Sequence, residues 1–507
     1  MDSIVNHLVS TAPEPGHRIT FARLDGDRSM DLTELYARSA DVARHLRRQG
    51  IRPGDRIGIL SPNRLEWVLL DLAALRLKAV TCGFESGKFD ASAALLAKYD
   101  LAVLYTDRIA PTGAGAGADP LIRDIAELAD VPATDDALSP VKYETDDHTT
   151  IKFTSGSTGE PKGLAASVGS IDSSITAVQG LFHHTDGDDL FVFLPLSLLQ
   201  QRYWIYSALV YGHDVTVSTY EAAFSALKRV RPTVVMGVPG FFETAKKQIE
   251  GQVRRSGAEV PSAARLLFGD RIRYLWTGSA PASAAVLTFF NDTAGLPLFE
   301  GFGLNETCIV SKNHPGAHRQ GSVGQVLPGK EILLDEDGVV SVRMDYPVNT
   351  RYEYATPEAQ RIFQPGGIVR TGDLGYVDED GFLYIRGRAD DVIVLDNGKK
   401  VIVRPIEERM RTSPAIEECV LFCPTQTYLV AVVSPARQPA DTDVIAAHLA
   451  AANAALAKDE RIRKVIVAEP GFTIDNGLLT SQYKPRRQQI FERFRSAILD
   501  NQEGIHA

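Results

Sequence analysis

An α/β body followed by a smaller α+β unit is the fold the sequence predicts, on three observations. Up to about residue 300, stretches with helical apolar spacing alternate with short apolar runs such as RIGIL, LAVLY and TVVMGV, the pattern of helices layered on sheets. After about residue 320, short alternating runs joined by Asp-Gly turns take over, which is a β section. From Asp390, strands and helices alternate again over about 118 residues, enough for a separate small α+β domain. The boundary is placed between 389 and 390, giving domains 1–389 and 390–507. The chain has 507 residues, too many for one hydrophobic core, so more than one domain is required.

Taken in order, LTELYARSADVARHLRRQG (32–50) has apolar residues at helical spacing and ends on Gly50, a helix-stop residue. Pro-Gly-Asp then turns the chain into the short buried strand RIGIL. NRLEWVLLDLAALRLKAV reads as a second amphipathic helix, and APTGAGAGADP (110–120) as a surface loop. GSVGQVLPGKEILLDEDGVVSVR and GDLGYVDEDGFLYIRGR each place an Asp-Gly between apolar runs. In the last unit VIVL, CVLFC and LVAVV read as strands, and PIEERMR and TDVIAAHLAAANAALAK as helices.

Hydrophobic residues make up 44% and charged residues 23%, ordinary for a globular protein. A net charge of −10 without a basic block argues against nucleic acid as a partner. Cys82, Cys308, Cys419 and Cys423 form no CxxC pair, so neither a disulfide framework nor a thiolate metal site is expected. The opening residues lack the basic and apolar regions of a signal peptide. FVFLPLSLL (191–199) is too short to cross a bilayer, and a cytoplasmic location is expected.

TSGSTGEPKG (154–163) has the ingredients of an anion cradle: glycines that let backbone N–H groups converge, hydroxyl donors and the charge of Lys162. The Walker pattern is absent, and composition alone leans towards a plain linker over a phosphate cradle. Other segments bear on the choice. FLPLSLLQQR (193–202), WTGSAP (276–281), EGFGLNET (300–307), GSVGQVLPG, TGDLG (371–375), RGRADD (386–391) and NGLLTSQYKPRR (476–487) follow in order. Together with NRLEW and RPGDRIGIL, these resemble the motifs of the adenylate-forming superfamily: acyl-CoA synthetases, peptide-synthetase adenylation domains and luciferases. The wording is most similar to long-chain acyl-CoA synthetases and stand-alone amide bond synthetases. The chain is identified as a member on this ordered set.

The resemblance implies ATP-dependent activation of a carboxylic acid with Mg2+, and a role for each matched position. Thr154, Ser155, Gly156, Ser157, Thr158, Gly159 and Lys162 would grip the β- and γ-phosphates. Glu306, with Thr154, would hold the metal, a hard cation that takes oxygen ligands. Gly278, Ser279, Ala280, Phe302, Gly303 and Asn305 would surround the adenine and phosphates, while Asp373 and Arg388 would bond the ribose. Lys484, Lys162 and Glu306 would be catalytic, and Asp390 would be the hinge of a mobile C-terminal domain. Taken singly, Asp373 reads as a turn residue, Phe302 as core, Glu306 as a solvated helix start and Lys484 as a surface charge; only the joint order assigns them.

Four positions depart from the family pattern. Phe302 replaces tyrosine, keeping a stacking face; Asn305 replaces threonine. Leu198 stands where L-P-L-S-H has histidine, and Val403 where N-G-x-x-V-x-P has proline. The last two leave the acceptor open among coenzyme A, an amine oriented by Gln200 or Gln201, and a carrier-protein thiol. No fused carrier domain is expected. A degenerate adenylate-binding protein without turnover is a further alternative, opposed by the presence of Lys162, Glu306, Asp373, Arg388 and Lys484. Phe241, Trp276, Gly301 and Leu198 are expected at the acid pocket; the two rings favour a compact acid.

Overall fold

The computed structural model describes residues 3–85, 87–108, 119–154, 161–397, 399–424, 427–480, 484–499 and 504–506. Two sheets and the helices between them form the body. One has six strands in the order Ile122–Asp124, Leu101–Thr106, Arg56–Leu60, Val80–Gly83, His148–Thr154, Lys162–Ser167; every pairing is parallel except the last. The other has nine, and its parallel centre runs through Asp189–Val192, Val234–Gly237, Tyr274–Thr277 and Leu298–Leu304 before Cys308–Lys312 folds back antiparallel. Ile57 and Ile59 of the first sheet share a core with Leu190 and Val192 of the second. The sheets therefore sandwich common helices, and the sequence's alternation of helix and strand reports that layering.

The helix Leu65–Leu77 differs from expectation. Rather than amphipathic it is buried nearly all round, with Glu66 and Asp71 among its buried residues. The structure satisfies those charges: Arg64 Nε reaches Glu66 at 2.6 Å, and Asp71 bonds Arg202 at 2.8 Å. A charged residue in an apolar segment thus signals a buried pair here, not a solvated face. Arg202, from the FLPLSLLQQR segment, also donates to Thr150 Oγ1 (3.0 Å) and Thr81 Oγ1 (3.2 Å). Tyr206 Oη donates to Asp71 Oδ2 (2.5 Å). One network therefore ties the helix Leu199–Tyr211 to the helix Leu65–Leu77 and to two strands of the six-stranded sheet.

Both Asp-Gly pairs make hairpins as the sequence predicts, joining Lys330–Leu334 to Val339–Met344 and Ile368–Val377 to Leu383–Arg388. Beyond the turn Ala389–Asp391, a four-stranded sheet (Ile416–Phe422, Leu429–Pro435, Ile462–Val467, Ile505–His506) carries the helices Arg404–Met410, Thr442–Ala454 and Arg487–Arg493. Its two apolar clusters draw only on residues from Ile393 onward among those described. Ion pairs reach back to the body: Arg411–Glu243 (3.0 Å), Lys247–Glu417 (3.1 Å) and Lys400–Asp337 (2.6 Å). Most of the loop read from APTGAGAGADP lies outside the described residues. Among the described residues no helix is long and apolar enough to cross a membrane.

Two buried histidines make a testable electrostatic feature. His184, whose Nε2 lies 2.6 Å from Tyr274 Oη, is pushed down to about 3 by burial, with His213 adding to the effect. Burial likewise pushes His213 to about 4. Between those values and about 6.5 the unfolded chain binds more protons, so each ring makes stability rise with pH. Buried carboxyls act oppositely: Asp189 and Glu300, each raised by burial to about 7, favour the folded state on acidification. The histidine contribution is therefore read as a difference. A His184→Gln/His213→Gln variant is expected to lose less stability than the parent between pH 7 and pH 5, by about 2 kcal/mol per ring. Urea unfolding at the two pH values measures it; equal pH slopes would exclude the effect.

Candidate active site

Strand pairing assembles the candidate residues. Thr154 and Lys162 are cross-strand partners at the facing ends of the antiparallel strands His148–Thr154 and Lys162–Ser167. Ser155, Gly156, Ser157, Thr158 and Gly159 lie outside the described residues. Lys162 Nζ sits 5.3 Å from the centre of the Tyr352 ring, and Tyr352 Oη donates to Glu306 Oε1 at 2.5 Å. Burial and the Glu306 charge both raise the Tyr352 hydroxyl, so it stays protonated and a donor. One tyrosine therefore links the predicted phosphate lysine to the predicted metal carboxylate.

Glu306 is 8% exposed, in the turn between Leu298–Leu304 and Cys308–Lys312. Two lysines fix that turn: Lys152 Nζ donates to Asn305 O (2.5 Å), and Lys330 Nζ donates to Thr307 O (2.7 Å). Burial brings Lys330 down to about 8. Gly303 lies opposite Ile309 and beside Cys308; a Cβ there would fall 2.0 Å from Cys308 O, so the turn can close only on glycine. Phe302 is partly buried and packs on the apolar cluster of the hairpins.

The second half of the site comes from three further segments. Asp373 and Arg388 are register partners in the second hairpin, and Arg388 Nη1 donates to Asp373 Oδ1 (3.2 Å) and to Thr371 O (2.9 Å). Gly372 has φ +75°, and a Cβ there would meet the Arg388 guanidinium at 2.9 Å. Burial raises the Asp373 carboxyl while Arg388 opposes the shift. Lys484, reaching in from the C-terminal unit, donates from Nζ to Ser279 O. Burial lowers it and the nearby Asp373 charge raises it. Ser279 itself has φ +67°, unusual for a residue with a Cβ, which turns the Gly278–Ala280 backbone sharply.

These features bring a lysine, a carboxylate–guanidinium pair and a turned backbone to one place, with Glu306, Tyr352 and Lys162 forming a second group. The arrangement suits a ligand carrying several negative charges and a sugar. The AMP-binding enzyme family matches residues 10–344, and the AMP-binding enzyme C-terminal domain matches residues 390–502.

The chain belongs to the adenylate-forming, AMP-binding enzymes.

The long-chain-fatty-acid–CoA ligase of Mycobacterium bovis is 29% identical over 89% of this chain and 88% of its own length. The 2-succinylbenzoate–CoA ligase of Geobacillus kaustophilus is 26% identical over 78% and 79%. Among solved structures, ATP-bound MatB from Rhodopseudomonas palustris superposes with a TM-score of 0.79 at 20% identity, covering 98% of this chain and 99% of that one. O-succinylbenzoate coenzyme A synthetase from Bacillus subtilis gives 0.75 at 21%, covering 99% of each. The fold is the one these adenylate-forming enzymes share.

Phe241 is fully buried among Phe193, Phe224 and Phe242 in a core cluster separate from that of Trp276, a packing position. Leu198 caps the helix Leu199–Tyr211, Gln200 is half-buried, and Gln201 is 5% exposed with Oε1 unpartnered among the described residues. Asp390 is exposed, 3.8 Å from Arg388. Tyr352, Lys152 and Lys330 were not identified in the sequence. Tyr352 is 46 positions from Glu306, and no local pattern announces such a partner.

Proposed function

We propose that this enzyme activates a carboxylic acid with ATP and passes the acyl group to the thiol of coenzyme A. In the first step a carboxylate oxygen bonds the α-phosphorus, the bond to the bridging oxygen breaks, and pyrophosphate leaves. In the second, the thiol sulfur bonds the acyl carbon, its proton is lost, and AMP leaves. The observation that carries the reading is Lys484 Nζ at Ser279 O, beside Asp373 and Arg388. A cation there offsets the repulsion between carboxylate and phosphate and steadies the bridging oxygen. Asp373 accepts from the ribose hydroxyls, with Arg388 donating to the same sugar.

Phe302 offers its face to adenine, and Lys162 with Thr154 and the neighbouring hydroxyl residues holds the leaving phosphates. The donor set fits Mg2+: Glu306 is a buried carboxylate that Tyr352 orients, and one carboxylate plus phosphate oxygens is the set this ion takes. Bound there, Mg2+ would supply charge neutralisation on the phosphates. Asp390, in the turn between the two units, is the proposed hinge. Coenzyme A is favoured because relatives covering most of the chain are named as CoA ligases.

A second reading, transfer to an amine, has one specific support. Gln201 presents a buried carbonyl without a partner among the described residues, next to Leu198 in place of the family histidine, and that oxygen could accept from an amine. Acid-dependent ATP–pyrophosphate exchange is expected with some member of a broad acid panel, and silence across it would overturn adenylation. With an accepted acid, mass spectrometry is expected to find a thioester with coenzyme A. An amide without any thioester would replace the first reading by the second.

A further inference from the structure

Lys312, at the end of the strand Cys308–Lys312, is fully buried, and neither half of the proposed reaction uses it. Its register partner is Gly301. A Cβ at Gly301 would come within 2.6 Å of Lys312 Cδ and 3.3 Å of its Nζ, so the lysine fills the space a side chain at 301 would take. Its Nζ lies 3.6 Å from the centre of the Trp276 ring, donates to Phe299 O at 2.7 Å and makes a stretched contact to Thr277 O at 3.3 Å. Among the described residues no carboxylate pairs with it; burial lowers its pKa well below the usual lysine range, and the Glu300 charge opposes that shift.

Lys312 lies on the far side of a glycine pair from Lys484. Lys484 contacts Ser279 O; next to Ser279, Gly278 abuts Gly301, since a Cβ on Gly278 would lie 3.3 Å from Gly301 O; and Gly301 abuts Lys312. Two lysines thus stand on either side of a pair of glycines that present no side chains. Two carbonyls and a ring hold this buried amine, and the 3.3 Å contact to Thr277 O is the longer of its two hydrogen bonds, so that donor is the one most easily redirected. One further buried donor packed against Trp276 lacks a partner among the described residues: Trp204 Nε1, whose ring lies 5.3 Å from that of Trp276. An unpartnered buried donor at this place fits a polar ligand group.

Resting on the proposed adenylation, we infer that Lys312 is a specificity-determining residue that reads an oxygen acceptor on the acid, a carbonyl or second carboxylate remote from the carboxylate that reacts. The preferred substrate is then a compact oxo acid or dicarboxylic acid rather than a plain hydrocarbon acid. The oxygen takes the weakly held donor capacity now directed at Thr277 O. A site built to bond an oxygen discriminates sharply against the analogue lacking it, because its buried donors are then left unpaired.

Acid-dependent pyrophosphate exchange with matched pairs tests this: hexanoate against 5-oxohexanoate and against adipate. The expected result is a kcat/KM at least about 10-fold higher for an oxygenated member in the parent enzyme. Lys312→Met should abolish that preference while hexanoate is used as well or better. The within-enzyme ratio cancels losses of folding or ATP binding, which would lower all three acids alike. Parent enzyme that favours hexanoate, or a Lys312→Met ratio equal to the parent's, overturns the inference and leaves adenylation standing. Should Lys312→Met fail to fold, the parent ratio alone decides. The relative rates with 5-oxohexanoate and adipate tell a neutral acceptor from an anionic one. Exchange with no acid in a broad panel sinks the adenylation reading itself, and this inference with it.

Discussion

Lys484→Ala is expected to slow acyl-adenylate formation by about 10²–10³-fold or more, the loss that follows removal of one preorganised group from a developing charge. Consumption of preformed acyl-adenylate should change little, because by then the carboxylate and phosphate charges that Lys484 offsets have been joined and pyrophosphate has gone. Lys484 enters from the C-terminal unit, its loop held by Thr480 N donating to Lys484 O at 2.8 Å, and among the described residues it meets the body at Ser279 O and in the fields of Asp373 and Arg388. Substitution therefore removes a charge at the seam and leaves both cores intact. Single-turnover measurement of each half-reaction separates the outcomes. A comparable loss in both would show that Lys484 serves architecture rather than adenylation.

Asp71→Ala is expected to destabilise the fold by about 3–5 kcal/mol, the usual result of leaving a buried charge without its partner. Arg202 is 1% exposed, and Asp71 is its carboxylate partner at 2.8 Å; Thr81 and Tyr206 also direct hydroxyls to Asp71. The double variant Asp71→Leu/Arg202→Met should recover much of that loss, since it buries no charge at all. Urea unfolding of the three proteins measures both statements. A single-variant loss below about 1 kcal/mol would mean that water reaches the pair, against its burial.

The parts of this molecule written in short-range chemistry were readable. Asp337-Gly338 and Asp380-Gly381 specify turns on their own, and the second hairpin brings Asp373 opposite Arg388 after a one-residue register shift at Leu374/Gly375 that the turn does not announce. The alternation of helix and strand was equally local. The residues that escaped depend on register between distant segments. Gly301 faces Lys312 because of a strand return with an irregularity at Phe302/Gly303, and nothing in SKNHPG marks its lysine as buried. The helix 65–77 was misread for a related reason: Glu66, Asp71 and Arg76 look like a solvated face until their partners at Arg64, Arg202 and Tyr36 are seen. Phe241 and Trp276 look alike as large rings near motifs, yet they belong to different cores.

The seam between body and C-terminal unit is held largely by charge. Apart from Lys484, it is bridged by the exposed or half-exposed pairs Arg411–Glu243, Lys247–Glu417 and Lys400–Asp337, and no apolar cluster among the described residues crosses it. The two exposed pairs, Lys247–Glu417 and Lys400–Asp337, are each worth at most about 1 kcal/mol and are screened within about 10 Å at 0.1 M salt. A greasy seam would lock one orientation as firmly as a core. This one resembles a magnetic catch: ordinary ionic strength weakens its exposed pairs, and parting it would expose little oil to water.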